Sequence, residues 1–220
     1  MSIEFGNRLK KDRLNAGLKT HGDIISALQE IGNKTITDRS VLSRYENGTR
    51  DPDSESAAAL MRVTNQPPEK KAEFLLSAAG HNDEEIANLL ATPLKSHNFE
   101  PETPEDTDIT ASDLLQVFRA VDTRELSQAE IARNASVDHG QLSKLLSGEK
   151  RRAGPEIARR LAEVVAPPDY RAELCLMLEG HEYSLIQEVL GNHPNYQSET
   201  NMSYPVLTQN SNIYHQAALE

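Results

Sequence analysis

Leu42-Ser43-Arg44-Tyr45-Glu46-Asn47-Gly48 finds its counterpart at a constant offset in Leu142-Ser143-Lys144-Leu145-Leu146-Ser147-Gly148. Held fixed, that offset aligns Ala58 with Ala158, Pro67-Pro68 with Pro167-Pro168, Ala72-Glu73 with Ala172-Glu173, and Gly80-His81 with Gly180-His181. It also aligns Ile86 with Ile186 and Leu90 with Leu190. A gap-free match of this length means that one supersecondary unit is used twice. Two copies are too few to bury the continuous core of a solenoid, so the expectation is two small domains in tandem.

Helical signals run through both copies. In the first, Phe5, Leu9 and Leu14 space as one apolar stripe, and Asn15-Ala16-Gly17 ends that helix. A second helix starts near Thr20 and carries Ile24, Ile25, Leu28 and Ile31 before Gly32-Asn33. Thr37 or Asp38 caps a third, which holds Val41, Leu42 and Tyr45 and stops at Asn47-Gly48. An Ala-rich helix over 54–64 follows, then one opened by Pro67-Pro68 and closed by Gly80, and a last one from Asp83 to Leu90. The second copy reads as helices over 113–121, 127–134, 138–147, 155–165, 168–179 and 182–190. Ile131 answers to Ile24 with about seven residues fewer before the third helix, so the first copy is longer in its second helix or in the turn after it. No segment has a convincing two-residue period, and the expected class is all-α.

These readings divide the chain into a first domain (1–90), a linker (91–112), a second domain (113–190) and a tail (191–220). The linker is acidic and holds Pro93, Pro101 and Pro104, the composition of a solvated spacer. The tail is rich in Asn, Gln, Ser and Tyr without periodicity and reads as disordered, although Val206, Leu207, Ile213, Tyr214 and Leu219 leave a docking segment open.

The 220 residues are 37% hydrophobic with no Trp, which suits small helical units with thin cores and not a large enzyme core. Neither a transmembrane run nor a signal peptide is legible, and a single Cys175 excludes an intramolecular disulfide framework. The expected setting is cytoplasmic. Net charge is −11, against the usual basic footprint of a nucleic-acid binder. The excess is uneven: residues 1–90 and 113–190 come to −2 and −3, whereas 91–112 and 191–220 hold −4 and −2.

Leu126-Ser127-Gln128-Ala129-Glu130-Ile131-Ala132, followed by Val137, Leu142-Ser143 and Gly148, reads as a capped helix, a turn after Ala135 and a second short helix: a helix-turn-helix. Ile131, Ala132, Val137 and Leu142 face inward, which turns His139, Gln141, Ser143 and Lys144 outward. With Leu42-Ser43-Arg44-Tyr45-Glu46-Asn47-Gly48-Thr49-Arg50-Asp51-Pro52 in the first copy, the chain resembles the XRE or phage-repressor (Cro/CI-like) family of DNA-binding domains. The likeness covers most of 3–66 and 113–166. Its second copy departs at Leu146, where the first has Glu46, and at Ser147-Gly148-Glu149-Lys150-Arg151.

The resemblance implies two tandem lambda-repressor-like domains whose third helices enter the DNA major groove. Its candidate contacts are Thr37, Asp38, Arg39, Ser40, Ser43 and Arg44 in the first copy, and Gln128, Asp138, His139, Gln141, Ser143 and Lys144 in the second. Arg39 suits a guanine and Gln141 an adenine. Gln128 suits a phosphate or a side chain of the next helix. Arg50 and Lys150-Arg151-Arg152 lie where phosphate contact is expected. Arg50 alternatively caps its turn and pairs with Glu46, and the Lys-Arg-Arg run alternatively is a solvated turn. Asp38 and Asp138 read as caps before base readers. Gly140 either permits close approach to DNA or marks a degenerate copy.

The implied function is sequence-specific binding of double-stranded DNA at a bipartite operator by a nucleoid-associated regulator, most simply a repressor, with a homodimer possible. The alternative is a protein-interaction scaffold or antitoxin-like co-regulator in which one or both units no longer bind DNA. No cofactor, metal site, membrane partner or enzymatic activity is expected. The seven histidines look scattered, His81 and His181 each follow a helix-ending Gly and complement the helix dipole, and Cys175 reads as a core thiol.

Overall fold

The computed structural model describes residues 3–91, 126–147, 149 and 152–196. These residues are all-helical, with eleven α-helices and no strand among them. The first copy holds α1 (Ile3–Asn15), α2 (His21–Glu30), α3 (Arg39–Glu46), α4 (Ser54–Val63), α5 (Lys71–Ala79) and α6 (Asp83–Leu90). The second holds α7 (Gln128–Asn134), α8 (His139–Leu146), α9 (Pro155–Val165), α10 (Arg171–Leu178) and α11 (Tyr183–Gly191). Short 3-10 turns occupy Pro68–Lys70, Pro168–Tyr170 and Pro194–Tyr196. The expected linker beyond 91, the helix expected over 113–121, Lys150, Arg151 and the tail beyond 196 lie outside the described residues.

Local chemistry sets most helix starts. Thr20 and Asp23 close a capping box on α2, Asn82 and Glu85 on α6, and Ser127 and Glu130 on α7. Asp38, Asp53 and Asp138 cap α3, α4 and α8 through their carboxylates. The length difference between the copies is shared: α2 has 10 residues and α7 has 7. The connection that follows α2 spans 31–38, whereas after α7 it spans 135–138.

Two expected apolar positions turn out exposed. Leu14 is 50% and Ile31 48% accessible. The buried stripe of α1 continues instead from Phe5 and Leu9 to Arg13, the i, i+4, i+8 row. Helix α2 ends at Glu30, so Ile31 falls on its C-cap and outside its inner face.

Within the first copy, α1 lies on α3, α2 on α3 and α4, and α4 on α5. The second repeats this with α7 on α8 and α9, and α9 on α10. One close approach is demanding. A Cβ on Gly6 would lie 2.4 Å from the Glu46 carbonyl oxygen, so α1 and α3 meet backbone to backbone there.

The helices after the Pro-Pro pairs both complete each core and join the copies. Helix α5 lies on α11 and, reciprocally, α6 on α10, so each copy offers the same two helices to the other. One continuous cluster of buried side chains runs from Phe5 to Tyr196 through both copies. Polar links cross the junction: Lys71 to Glu188 at 2.5 Å and Arg159 to Glu85 at 3.1 Å.

Folded chain also extends past the expected boundary at 190. Asn195 donates to the Leu90 carbonyl at 2.5 Å, and Tyr196 Oη to that of Leu89 at 3.5 Å. Helix α6 leaves these last carbonyls without helical donors, and the segment after α11 supplies them.

Gly6→Ala is expected to destabilise the protein by about 2–3 kcal/mol, because overpacking between two backbones outweighs the roughly 1 kcal/mol of helix propensity gained. Gly191→Ala, with nothing within 4 Å of its new Cβ, is the matched control and is expected to be neutral or slightly stabilising. Urea denaturation of the two variants measures the difference.

Candidate nucleic-acid interface

Helices α3 and α8 are amphipathic in the same register. Leu42 and Tyr45 are buried in α3, and Leu142 and Leu145 in α8. That inward pull exposes Thr37, Asp38, Arg39, Ser40 and Arg44 in one copy and Asp138, His139, Ser143 and Lys144 in the other, with Ser43 and Gln141 partly covered. The expected groove-facing side chains therefore come together on two short outward surfaces.

Each has its own local setting. Asp38 accepts from the Ser40 amide at 2.7 Å, and this hydrogen bond holds its carboxyl below the ordinary value. Asp138 accepts from the Gln141 amide at 3.0 Å. A Cβ on Gly140 would lie 3.1 Å from the Asp138 carboxylate, so this glycine leaves room for the cap. Arg39 spreads its guanidinium over the first turn of α2, where a Cβ on Gly22 would lie 3.1 Å from Nη2. The Ser43 hydroxyl accepts from Asn47 at 3.3 Å. Lys144 lies 3.8 Å from Glu149. The Gln128 side-chain nitrogen is buried with no hydrogen-bond partner among the described residues.

Arg50 does not take Glu46. Its guanidinium lies over the Tyr45 ring, 6.0 Å from the centroid, while Glu46 binds Arg13 at 2.6 Å and His21 at 3.0 Å. Arg13 also donates to the Leu18 and Lys19 carbonyls, both at 2.8 Å, so one buried guanidinium ties α1, the following turn and the end of α3. Burial alone would raise the Glu46 carboxyl, but the hydrogen bonds from Arg13 and His21 bring it below its ordinary 4.5. This cluster was not legible in sequence, since a motif glutamate in a run of polar residues looks like a surface charge. The only hint is its replacement by Leu146 in the second copy.

Arg152 is exposed, but its side chain runs along Gly180 and lines a cleft of about 200 Å³ beside Glu179 and His181. It is built into the junction of the copies. His81 and His181 follow their helix-ending glycines as expected, and both are buried, at 2% and 7% accessible. Gly80 and Gly180, at φ 107° and 90°, let the chain turn so that each following histidine donates its amide back to Leu76 or Leu176 and points inward. Burial, with Arg152 adding repulsion, pushes His181 down to about 4.

The histidines are also not all isolated. His81, Cys175 and Glu179 converge within 4.8 Å of one another inside the junction. The signal in sequence was the mismatch of Glu179 with Ala79 between otherwise aligned helix ends.

No family model, no curated protein and no solved structure matches this chain.

A carboxyl held low in the folded state stabilises the fold at pH values above its unfolded value, and that stability is lost as pH falls through the folded value. Wild type is expected to lose stability steeply below about pH 4.5, as Glu46 protonates. Glu46→Gln should be about 3 kcal/mol less stable at pH 7, through the orphaned Arg13, and should show a flatter acid limb. Denaturant midpoints measured from pH 7 to pH 3 compare the two.

Proposed function

We propose that this chain is a sequence-specific double-stranded DNA-binding regulator, with α2–α3 and α7–α8 as two helix-turn-helix units and α3 and α8 as the reading helices. The reading rests on the resemblance to the XRE or phage-repressor family. The observation that carries it is the shared amphipathic split of α3 and α8: each buries its motif leucine and presents the polar residues expected to meet bases. Around α3, Arg39, Arg44 and Arg50 form an exposed cationic set.

Two units on one chain raise the effective concentration of the second once the first is bound. Reciprocal packing of α5–α6 with α10–α11 would further hold the reading helices at one separation, and so define one half-site spacing. Because α3 and α8 carry different side chains, the half-sites would differ in sequence. A repressor acting by occupancy is the simplest regulator of this design, and a homodimer would extend the operator.

The rival reading is a protein-interaction scaffold or antitoxin-like co-regulator. The net charge of −11 favours it, as does the Lys144–Glu149 contact, which partly neutralises α8. A split arrangement, with only the first unit on DNA, lies between the two.

Binding selection from a genomic library with the full chain at about 150 mM salt is expected to return a bipartite motif, with affinity falling steeply as salt rises. Arg39→Ala/Arg44→Ala and Gln141→Ala/Lys144→Ala should each weaken binding, by about 1–3 kcal/mol for every base-reading side chain removed. Weakening confined to the first pair would leave one working unit. A folded protein that selects no motif would overturn the DNA-reading function.

A further inference from the structure

Three donor atoms from two copies face one another inside the junction. His81 Nε2 of the turn before α6 lies 2.5 Å from Glu179 Oε1, just past α10. Cys175 Sγ, one helical turn earlier, lies 3.5 Å from each of them. All three residues are buried, and Glu179 Oε2 has no hydrogen-bond partner among the described residues. A carboxylate in that position is expensive unless something of opposite charge joins it.

We propose that His81, Cys175 and Glu179 form a binding site for Zn²⁺ or a similar borderline divalent cation that joins the two copies.

The geometry is close to what such an ion requires. With Zn–N and Zn–O near 2.0–2.1 Å and Zn–S near 2.3 Å, tetrahedral ligands stand about 3.5 Å apart when one is sulfur and about 3.3 Å apart when neither is. Both distances from Cys175 already match. Only the His81–Glu179 hydrogen bond has to open, by roughly 0.8 Å, as the ion replaces the proton between them. Behind the histidine, Glu85 Oε2 lies 3.7 Å from His81 Nδ1, the outer position from which a carboxylate orients a metal-bound imidazole. Glu85 is itself held by Arg159 at 3.1 Å.

The charges balance. Loading releases the Cys175 thiol proton to solvent. The neutral imidazole changes tautomer, giving up its Nε2 proton while one is taken on at Nδ1, facing Glu85. A divalent ion then meets one thiolate and one carboxylate, so the inner site is neutral. Burial and the neighbouring Glu179 carboxylate raise the empty thiol well above its ordinary value, and the ion would reverse this. Of the three ligands, Glu179 lines the cleft at the junction, together with Ala79, and an ion would enter from that side.

Because His81 belongs to the first copy and the other two ligands to the second, loading would clamp the copies together. The site stands independently of the DNA-reading proposal.

The test uses the full chain, stripped with a chelator and titrated with Co²⁺ and then Zn²⁺. One Co²⁺ per chain is expected, with tetrahedral ligand-field bands and a thiolate-to-cobalt charge-transfer band, both displaced by Zn²⁺. Zn²⁺ should also raise the thermal midpoint. Cys175→Ala should lose the charge-transfer band, and Glu85→Gln should bind about 10–100-fold more weakly. A folded wild-type chain that takes up no Co²⁺, or takes it up without the thiolate band, overturns the site. So does equal binding by a folded Cys175→Ala. The wild-type spectrum decides the matter even if a variant fails to fold.

Discussion

Helices α5 and α10 are buried on almost every side, and the rest of the structure depends on finding cover for them. In α10 every residue from Ala172 to Leu178 is buried, and in α5 the run from Phe74 to Ala78 is. A helix buried around nearly its whole circumference cannot sit on the surface of a small unit. One side of each is covered by its own copy, through α4 or α9, and the other by the sixth helix of the opposite copy. At about 1.5–3 kcal/mol for each fully buried large apolar side chain, leaving either helix half exposed would exceed what a thin helical core can supply. The two repeats are therefore halves of one hydrophobic body.

The copies have diverged where each meets a different neighbour. Glu46 sits beside Arg13 and His21, whereas its counterpart Leu146 packs against the apolar core. Glu179 faces His81 across the junction, whereas its counterpart is Ala79. An exchange of interface helices that is reciprocal in backbone is thus asymmetric in chemistry. His81 gains a carboxylate and a thiol, while His181 stays neutral beside Arg152. Buried polar clusters of this kind contribute little net stability against a well-packed apolar replacement, but losing one partner leaves the other buried and uncompensated. Of these clusters, only that of His81, Cys175 and Glu179 spans the two copies.

Burial of the fifth and sixth helices also bears on how the outward helices work. Helices α3 and α8 are short, and each is anchored by two buried residues and one aspartate cap. Such helices hold their direction only if the body beneath them is rigid. In the first copy Arg13 and Glu46 add a buried tie at the far end of α3. The second copy lacks it, so the two surfaces differ in support as well as in side chains.

The all-helical class, the caps at Asp38, Asp138, Thr20 and Ser127, and the inward leucines of α3 and α8 were legible in the sequence. All of these depend on residues within one or two turns of one another. Even the outward placement of Arg39, Arg44, Ser143 and Lys144 follows from that local periodicity. What only the tertiary structure decided involves residues far apart in the chain. Glu46 meets Arg13, His81 meets Cys175 and Glu179, and Asn195 and Tyr196 close the end of α6. Periodicity says which face of a helix is apolar, but not which other helix covers it. A buried arginine, histidine or glutamate reads as a surface charge until its partner is in place, because only that partner makes burial affordable.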